Sequence, residues 1–181
     1  MYLCPIYCVL ILKSAFILKV NGKHYRTIWL EESGAPCVKI IDQRFLPHQF
    51  VIEDITSFNQ MVVAIRDMHL RGAGLIGVAA AYGIYLAILE SGKADSYDEN
   101  LTKLAKELAE TRPTAVNLIW AIDRQMTEIA NVSSVDDKIE VAKQTAQLIA
   151  DEDANSSQSI GLFGVDIIEQ KIGRASCRER V

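Results

Sequence analysis

The spacing of apolar residues changes period once along the chain, close to Ser57. Before that point, short runs rich in β-branched and aromatic side chains (residues 25–30 and 38–42) flank residues 31–36, which hold Ser, Gly and Pro. This is a strand, loop, strand pattern. Asn21-Gly22 lies between two short flanks in residues 20–29, a two-residue hairpin signal. Pro47 breaks the chain, and residues 50–55 fit a third short strand. Residues 20–56 are therefore expected to form a small antiparallel sheet.

Beyond Ser57 the period is helical. Phe58, Met61, Val62, Ile65 and Met68 fall on one helical face. Residues 71–74 interrupt with two glycines. Residues 76–89 are apolar almost all round and rich in Ala, which demands burial on every side. After a loop at 91–96, residues 100–110 are amphipathic, with Leu101, Leu104, Ala105 and Leu108 on one side. Pro113 suits the first turn of a further helix running to about Ala130. Ser133 or Ser134 can cap the last helix, with Asp136 and Asp137 in its first turn. That helix should run from Val135 through Ile149 and as far as Ile168. The predicted class is α+β: a small antiparallel N-terminal sheet followed by a bundle of about five helices over residues 57–171. Strands and helices do not alternate, so this part is not a doubly wound α/β domain.

Composition narrows the function. With 50% apolar residues in 181, the chain can bury a core. Its formal charge of −4 and the lack of a basic block or an aromatic-interleaved Lys/Arg stripe argue against a nucleic-acid partner. The four cysteines, Cys4, Cys8, Cys37 and Cys177, make no second pair at zinc-site spacing, so no metal is expected; such sparse cysteines suit the cytoplasm. Near the N-terminus, the apolar residues 5–12 and 15–18 are split by Lys13, too short for a membrane span. The absence of a basic residue in Met1–Leu3 argues against a signal peptide. The expected reading of residues 1–19 is an upstream mis-start, with the folded protein beginning near Leu18–Val20 and no membrane partner. Residues 172–181, IGRASCRERV, are polar and aperiodic and match one reading frame of a widely used sequencing adapter. On that reading the native segment ends near Gln170 or Lys171, and Cys177 has no biological meaning. Dropping three arginines and one glutamate there leaves a charge of about −6.

Two constellations carry candidate chemistry. In Arg71-Gly72-Ala73-Gly74-Leu75-Ile76-Gly77 the first two glycines permit close backbone approach ahead of a helix. A helix start offers unpaired N–H groups and partial positive charge, and Arg71 adds a planar fork suited to phosphate. This makes an anion site; the alternative is a turn whose glycines serve packing. It is not a P-loop, since the Gly-Lys-Ser/Thr ending is missing. In Thr111-Arg112-Pro113-Thr114-Ala115-Val116-Asn117, Arg112 opposes the dipole of the following helix, a conflict an anion would relieve. The alternative is a solvated arginine. Asn117 and Trp120 lie one turn apart, with a core role preferred for Trp120 over stacking on a ligand. His69 is a ligand contact or, by default, a buried hydrogen-bonded histidine. His24 and His48 have no acidic or cysteine neighbour suggesting catalysis, and Asp42-Gln43 contacts substrate or caps a turn. No nucleophile with an evident base, no Gly-x-Ser-x-Gly and no metal quartet appears. The residues present binding features without a reaction centre.

Three separated runs supply more. They are Ile40-Ile41-Asp42-Gln43-Arg44-Phe45-Leu46-Pro47, then residues 64–83 around Met68-His69-Leu70-Arg71-Gly72-Ala73, then residues 111–121 around Arg112-Pro113-Thr114-Ala115-Val116-Asn117. In this order the chain resembles, from Val20 to Lys171, the S-methyl-5-thioribose-1-phosphate isomerases. Their wider family includes ribose-1,5-bisphosphate isomerases and the regulatory subunits of initiation factor 2B. The resemblance implies a sheet-plus-helix N-terminal domain, followed in the family by a Rossmann-like C-terminal domain missing here. It implies an aldose–ketose isomerase of methionine salvage, needing no cofactor and homodimeric. By matching position, Arg71, Gly72, Ala73 and Arg112 would contact the sugar phosphate. Gly74 stands where many members have proline, which relaxes the loop and leaves the arginine fork intact. Residues 155–164 look like the family helix after the second motif, with more departures. The family's acid/base pair, a cysteine and an aspartate, belongs to the second domain, and none of the four cysteines fits it. The fragment alone is therefore expected to be inactive and to expose apolar surface. The alternatives are a ribose-1,5-bisphosphate isomerase and a non-catalytic initiation-factor subunit acting by protein interaction.

Overall fold

The computed structural model describes residues 19–92 and 97–171. The expected upstream extension, the adapter-like tail, Cys4, Cys8, Cys177 and most of the 91–96 loop lie outside the described residues. The chain divides into two compact units: Arg26–Asp153, and a second made of Met1–Tyr25 with Ala154–Val181.

In the smaller unit, β1 (Lys19–Val20) and β2 (Lys23–His24) pair antiparallel, Lys19 opposite His24 and Val20 opposite Lys23. Asn21 and Gly22 join them at φ 51° and 79°. Two successive positive φ values are what a tight hairpin requires, which is why Asn-Gly stands there.

The larger unit holds a three-stranded antiparallel sheet in the order β3 (Ile28–Glu31), β4 (Cys37–Ile41), β5 (Ile52–Ile55). Val38 pairs with Leu30 on one side and Ile55 on the other. Strand alternation divides β4 between two faces: Val38 and Ile40 are buried, while Lys39 turns out to meet Asp54 at 2.6 Å.

The period change at Ser57 is a capping box. Its side chain accepts the Gln60 N–H, and the Gln60 side chain accepts the Ser57 N–H, opening α1 (Phe58–Arg66). Phe58, Met61, Val62 and Ile65 are buried as their spacing predicts. Met68 departs from that face: the helix ends at Arg66, and Met68, at φ 60°, is 40% exposed.

Helix α2 (Ala73–Ser91) is the core. Residues 75–88 are all buried, and the helix packs on α1, on α3 (Tyr97–Thr111), on α4 (Val116–Ala130) and on β3. It is long and apolar enough to cross a membrane by composition, but most of that stretch is buried within the protein. Gln125 of α4 ties three helices together. Its Nε2 donates to the Ala81 carbonyl at 3.1 Å and to the Ala142 carbonyl of α5 (Val135–Lys171) at 2.9 Å.

Two helix starts differ from expectation. Helix α2 begins at Ala73, so Gly74 and Gly77 lie within it and only Gly72 precedes it. Helix α4 begins at Val116, which leaves Pro113 in a turn ahead of the helix, closed by the Ala115 N–H donating to the Arg112 carbonyl at 2.9 Å. Trp120 does not join the core. It is 48% exposed, with the Arg124 guanidinium 5.3 Å from its ring centre.

Candidate functional site: two helix starts at one end of the bundle

The segment leading into α2 is held from behind. The His69 N–H donates to the Ala64 carbonyl at 2.9 Å, and the His69 carbonyl accepts the Gln43 N–H at 2.7 Å. The His69 ring, 5% exposed, places Nδ1 2.7 Å from Glu53 Oε2. This is the buried, hydrogen-bonded histidine of the default reading.

Asp42, 2% exposed, accepts from the Arg44 backbone N–H at 3.0 Å and from its guanidinium at 2.6 to 3.2 Å. Those bonds hold its carboxyl below the usual range, against the opposing effect of burial. It is thus a turn-pairing carboxylate. Ligating atoms of Asp42, Glu53 and His69 lie within 4.8 Å of one another, close enough to surround a cation. Arg44 already supplies the positive charge and engages both Asp42 oxygens, so the set fits an internal ion-pair network better than a metal centre.

In front of this network, Arg71, Gly72 and Ala73 are exposed. Gly72 takes φ 108°, a conformation that penalises any side chain, and provides no side-chain cap. The first helical bond, from the Ile76 N–H to the Gly72 carbonyl at 3.0 Å, leaves the preceding N–H groups of the turn free of helical partners.

The second motif is brought alongside by a glycine. A Cβ added at Gly77 would lie 2.9 Å from the Asn117 carbonyl oxygen, so the two backbones touch there. Further along, Gln125 reaches Ala81. The contacts advance in the same order on both helices, so α2 and α4 run in the same sense along their seam and start at the same end. Arg71 and Arg112 stand in the two segments leading into these starts. Ion pairs among the described residues engage Arg26, Arg44, Arg66 and Arg124, and leave Arg71 and Arg112 outside them. Asn117 is exposed beside the seam, and His24 and His48 are exposed on the surface. Cys37, the free cysteine among the described residues, has its thiol pushed up by burial, the opposite of an activated nucleophile.

One neighbour escaped the sequence reading. A Cβ at Gly74 would overlap the Asp153 carboxylate, whose pKa is raised by burial. The available signal was the acidic run Asp151-Glu152-Asp153 on α5.

Sheet, buried central helix and two helix starts, each preceded by an arginine, define a domain of the α+β class. A sequence profile of the Initiation factor 2 subunit family matches residues 69–173, from His69 through both motifs. The chain belongs to that family. Methylthioribose-1-phosphate isomerase of Sinorhizobium medicae is 43% identical over 164 residues, covering 91% of this chain and 43% of that protein. The enzyme of the same name from Escherichia coli O45:K1 is 41% identical over 84% of this chain and 40% of its own length. Among solved structures, 5-methylthioribose 1-phosphate isomerase from Pyrococcus horikoshii superposes with a TM-score of 0.71 at 33% identity, covering 80% of this chain and 41% of that one. Translation initiation factor eIF-2B subunit delta from A. fulgidus gives 0.65 at 36%, covering 71% and 37%. The chain spans about two fifths of the length of the curated relatives it matches.

Proposed function

We propose that this chain is the N-terminal, phosphate-holding part of an isomerase that converts 5-methylthioribose 1-phosphate to 5-methylthioribulose 1-phosphate in methionine salvage. The observation that carries the reading is the Gly77–Asn117 contact, which starts two helices at one end with an arginine outside any described ion pair ahead of each. Arg71, the Gly72 and Ala73 backbone and Arg112 hold the phosphate, and the two helix dipoles add to its field.

The reaction moves a hydrogen from C2 to C1 of the sugar and needs neither an external oxidant nor a cofactor. On this reading, which follows the family resemblance, the acid/base pair belongs to a second domain, and residues 1–181 alone bind and do not turn over. The working protein is a cytoplasmic homodimer without nucleic-acid or membrane partners. The acidic charge supports the lack of a nucleic-acid partner, the sparse cysteines the cytoplasmic setting and the burial of α2 the lack of a membrane partner, while the homodimer follows from the family resemblance.

Turnover by the complete gene product on 5-methylthioribose 1-phosphate and on ribose 1,5-bisphosphate tests the assignment. Preference for the bisphosphate would move it to the sister isomerases. The likeness to an initiation-factor subunit favours a second reading, a regulatory subunit, which predicts no turnover of either sugar. Arg71→Ala and Arg112→Ala should each raise KM at least about tenfold, the loss of one charge-assisted phosphate contact. Unchanged KM in both would remove the phosphate grip, and turnover by residues 1–181 would overturn the division of labour.

A further inference from the structure

Helix α5 carries three acids in a row, and the fold treats the third differently. Asp151 pairs with Arg26. Glu152 accepts two hydrogen bonds from Arg124, at 2.6 and 3.0 Å. Asp153 has no hydrogen-bond or ion-pair partner among the described residues, and it is partly buried. Its Oδ1 occupies the space that a side chain at position 74 would fill. It therefore lies against the first turn of α2, directly beyond Arg71, Gly72 and Ala73. Burial without a cation pushes its carboxyl up from the ordinary value.

Two arginines and two helix starts would accept any phosphate. A carboxylate against the first of those helix starts is unfavourable toward a phosphate ester dianion that carries no hydroxyl, because like charges repel. The same carboxylate becomes favourable toward a ligand that brings a hydroxyl beside its phosphate, because a desolvated acceptor gains a donor. We infer that Asp153 is a specificity-determining residue that accepts a hydrogen bond from a sugar hydroxyl and disfavours a phosphate ester lacking one. The absent side chain at Gly74 leaves the carboxylate its place. This inference rests on the phosphate reading above and adds to it the part of the substrate next to the phosphate.

The test is a calorimetric or NMR titration of the 181-residue chain with two probes, methyl phosphate as its dianion, which carries no hydroxyl, and ribose 1-phosphate. The unsubstituted chain should prefer ribose 1-phosphate. Asp153→Asn should weaken ribose 1-phosphate about tenfold and tighten methyl phosphate severalfold, so that the preference collapses. Gly74→Ala keeps the charge and turns the carboxylate aside; it should weaken ribose 1-phosphate alike. The double variant should add little to either single one, as expected for residues acting through one contact. An equal shift for both probes, or no shift for either, overturns the role of Asp153. Arg112→Ala separates the two levels of the argument: it should weaken both probes. If neither probe binds the unsubstituted chain, the phosphate reading fails and this inference fails with it.

Discussion

At Gly77 the α2 backbone meets the Asn117 carbonyl with no room for a methyl group, and a backbone carbonyl cannot swing aside as a side chain can. Gly77→Ala is expected to cost about 1–3 kcal/mol in urea unfolding. Gly83→Ala should cost less, because its added Cβ would meet Leu108 Cδ2 at 3.0 Å and Met61 Cγ at 3.3 Å, both on side chains rather than backbone. Equal costs at the two positions would show that the Asn117 contact yields. The Asp42–Arg44 pair gives a pH prediction. Its folded carboxyl is held below the ordinary 3.8, chiefly by the Arg44 side chain, so the bond stabilises the protein above that pH. The contribution is lost as pH falls through the lower folded value. Arg44→Met should destabilise by about 2 kcal/mol at neutral pH, since it strands a buried carboxylate, and should flatten the decline below about pH 4. Denaturation midpoints measured across that range decide this, and an acid limb parallel to the unsubstituted protein would remove Arg44 as the cause. At this scale the arginines of both motifs and the glycines of the first were legible, because guanidinium charge and glycine's freedom are properties of single residues. Asp153 was not, since one acid in a run of three is distinguished only by what it faces.

Helix α2 shows what can be read at the scale of the element. Its unbroken apolar run could only be a buried helix, and the structure buries residues 75–88. Its start was misplaced because glycine usually marks helix ends, whereas Gly74 and Gly77 serve close approach within the helix. Trp120 shows the converse. Its spacing from Asn117 placed it on a helix face, but spacing does not say whether anything covers that face, and Val116 and Trp120 are 78% and 48% exposed. Gln125 is the polar joint between α2, α4 and α5, and its Oε1 has no hydrogen-bond partner among the described residues. The carbonyls it reaches belong to helices with their own backbone bonds. Gln125→Leu should therefore stay within about 1 kcal/mol of the unsubstituted protein, while Gln125→Glu should cost about 3 kcal/mol by burying a charge. A Leu variant as damaged as the Glu variant would make the joint indispensable.

For the whole molecule, Arg26–Asp153 forms one compact unit containing the three-stranded sheet, the first four helices and the start of α5. Residues 26–153 alone should keep their helical circular dichroism and unfold in a single transition; loss of either would show that the unit depends on the rest of the chain. The order of sheet then helices, the buried central helix and the two arginine motifs follow from the sequence alone, because period, apolar content and residue chemistry are local properties. Only the tertiary structure decided that the two motifs share one end of the bundle. That depends on a glycine-to-backbone contact between residues 40 positions apart, Gly77 and Asn117, which no local pattern encodes. It also decided that Asp153 stands against the first of those motifs, because a neighbour across the fold is set by how helices pack rather than by where residues lie along the chain.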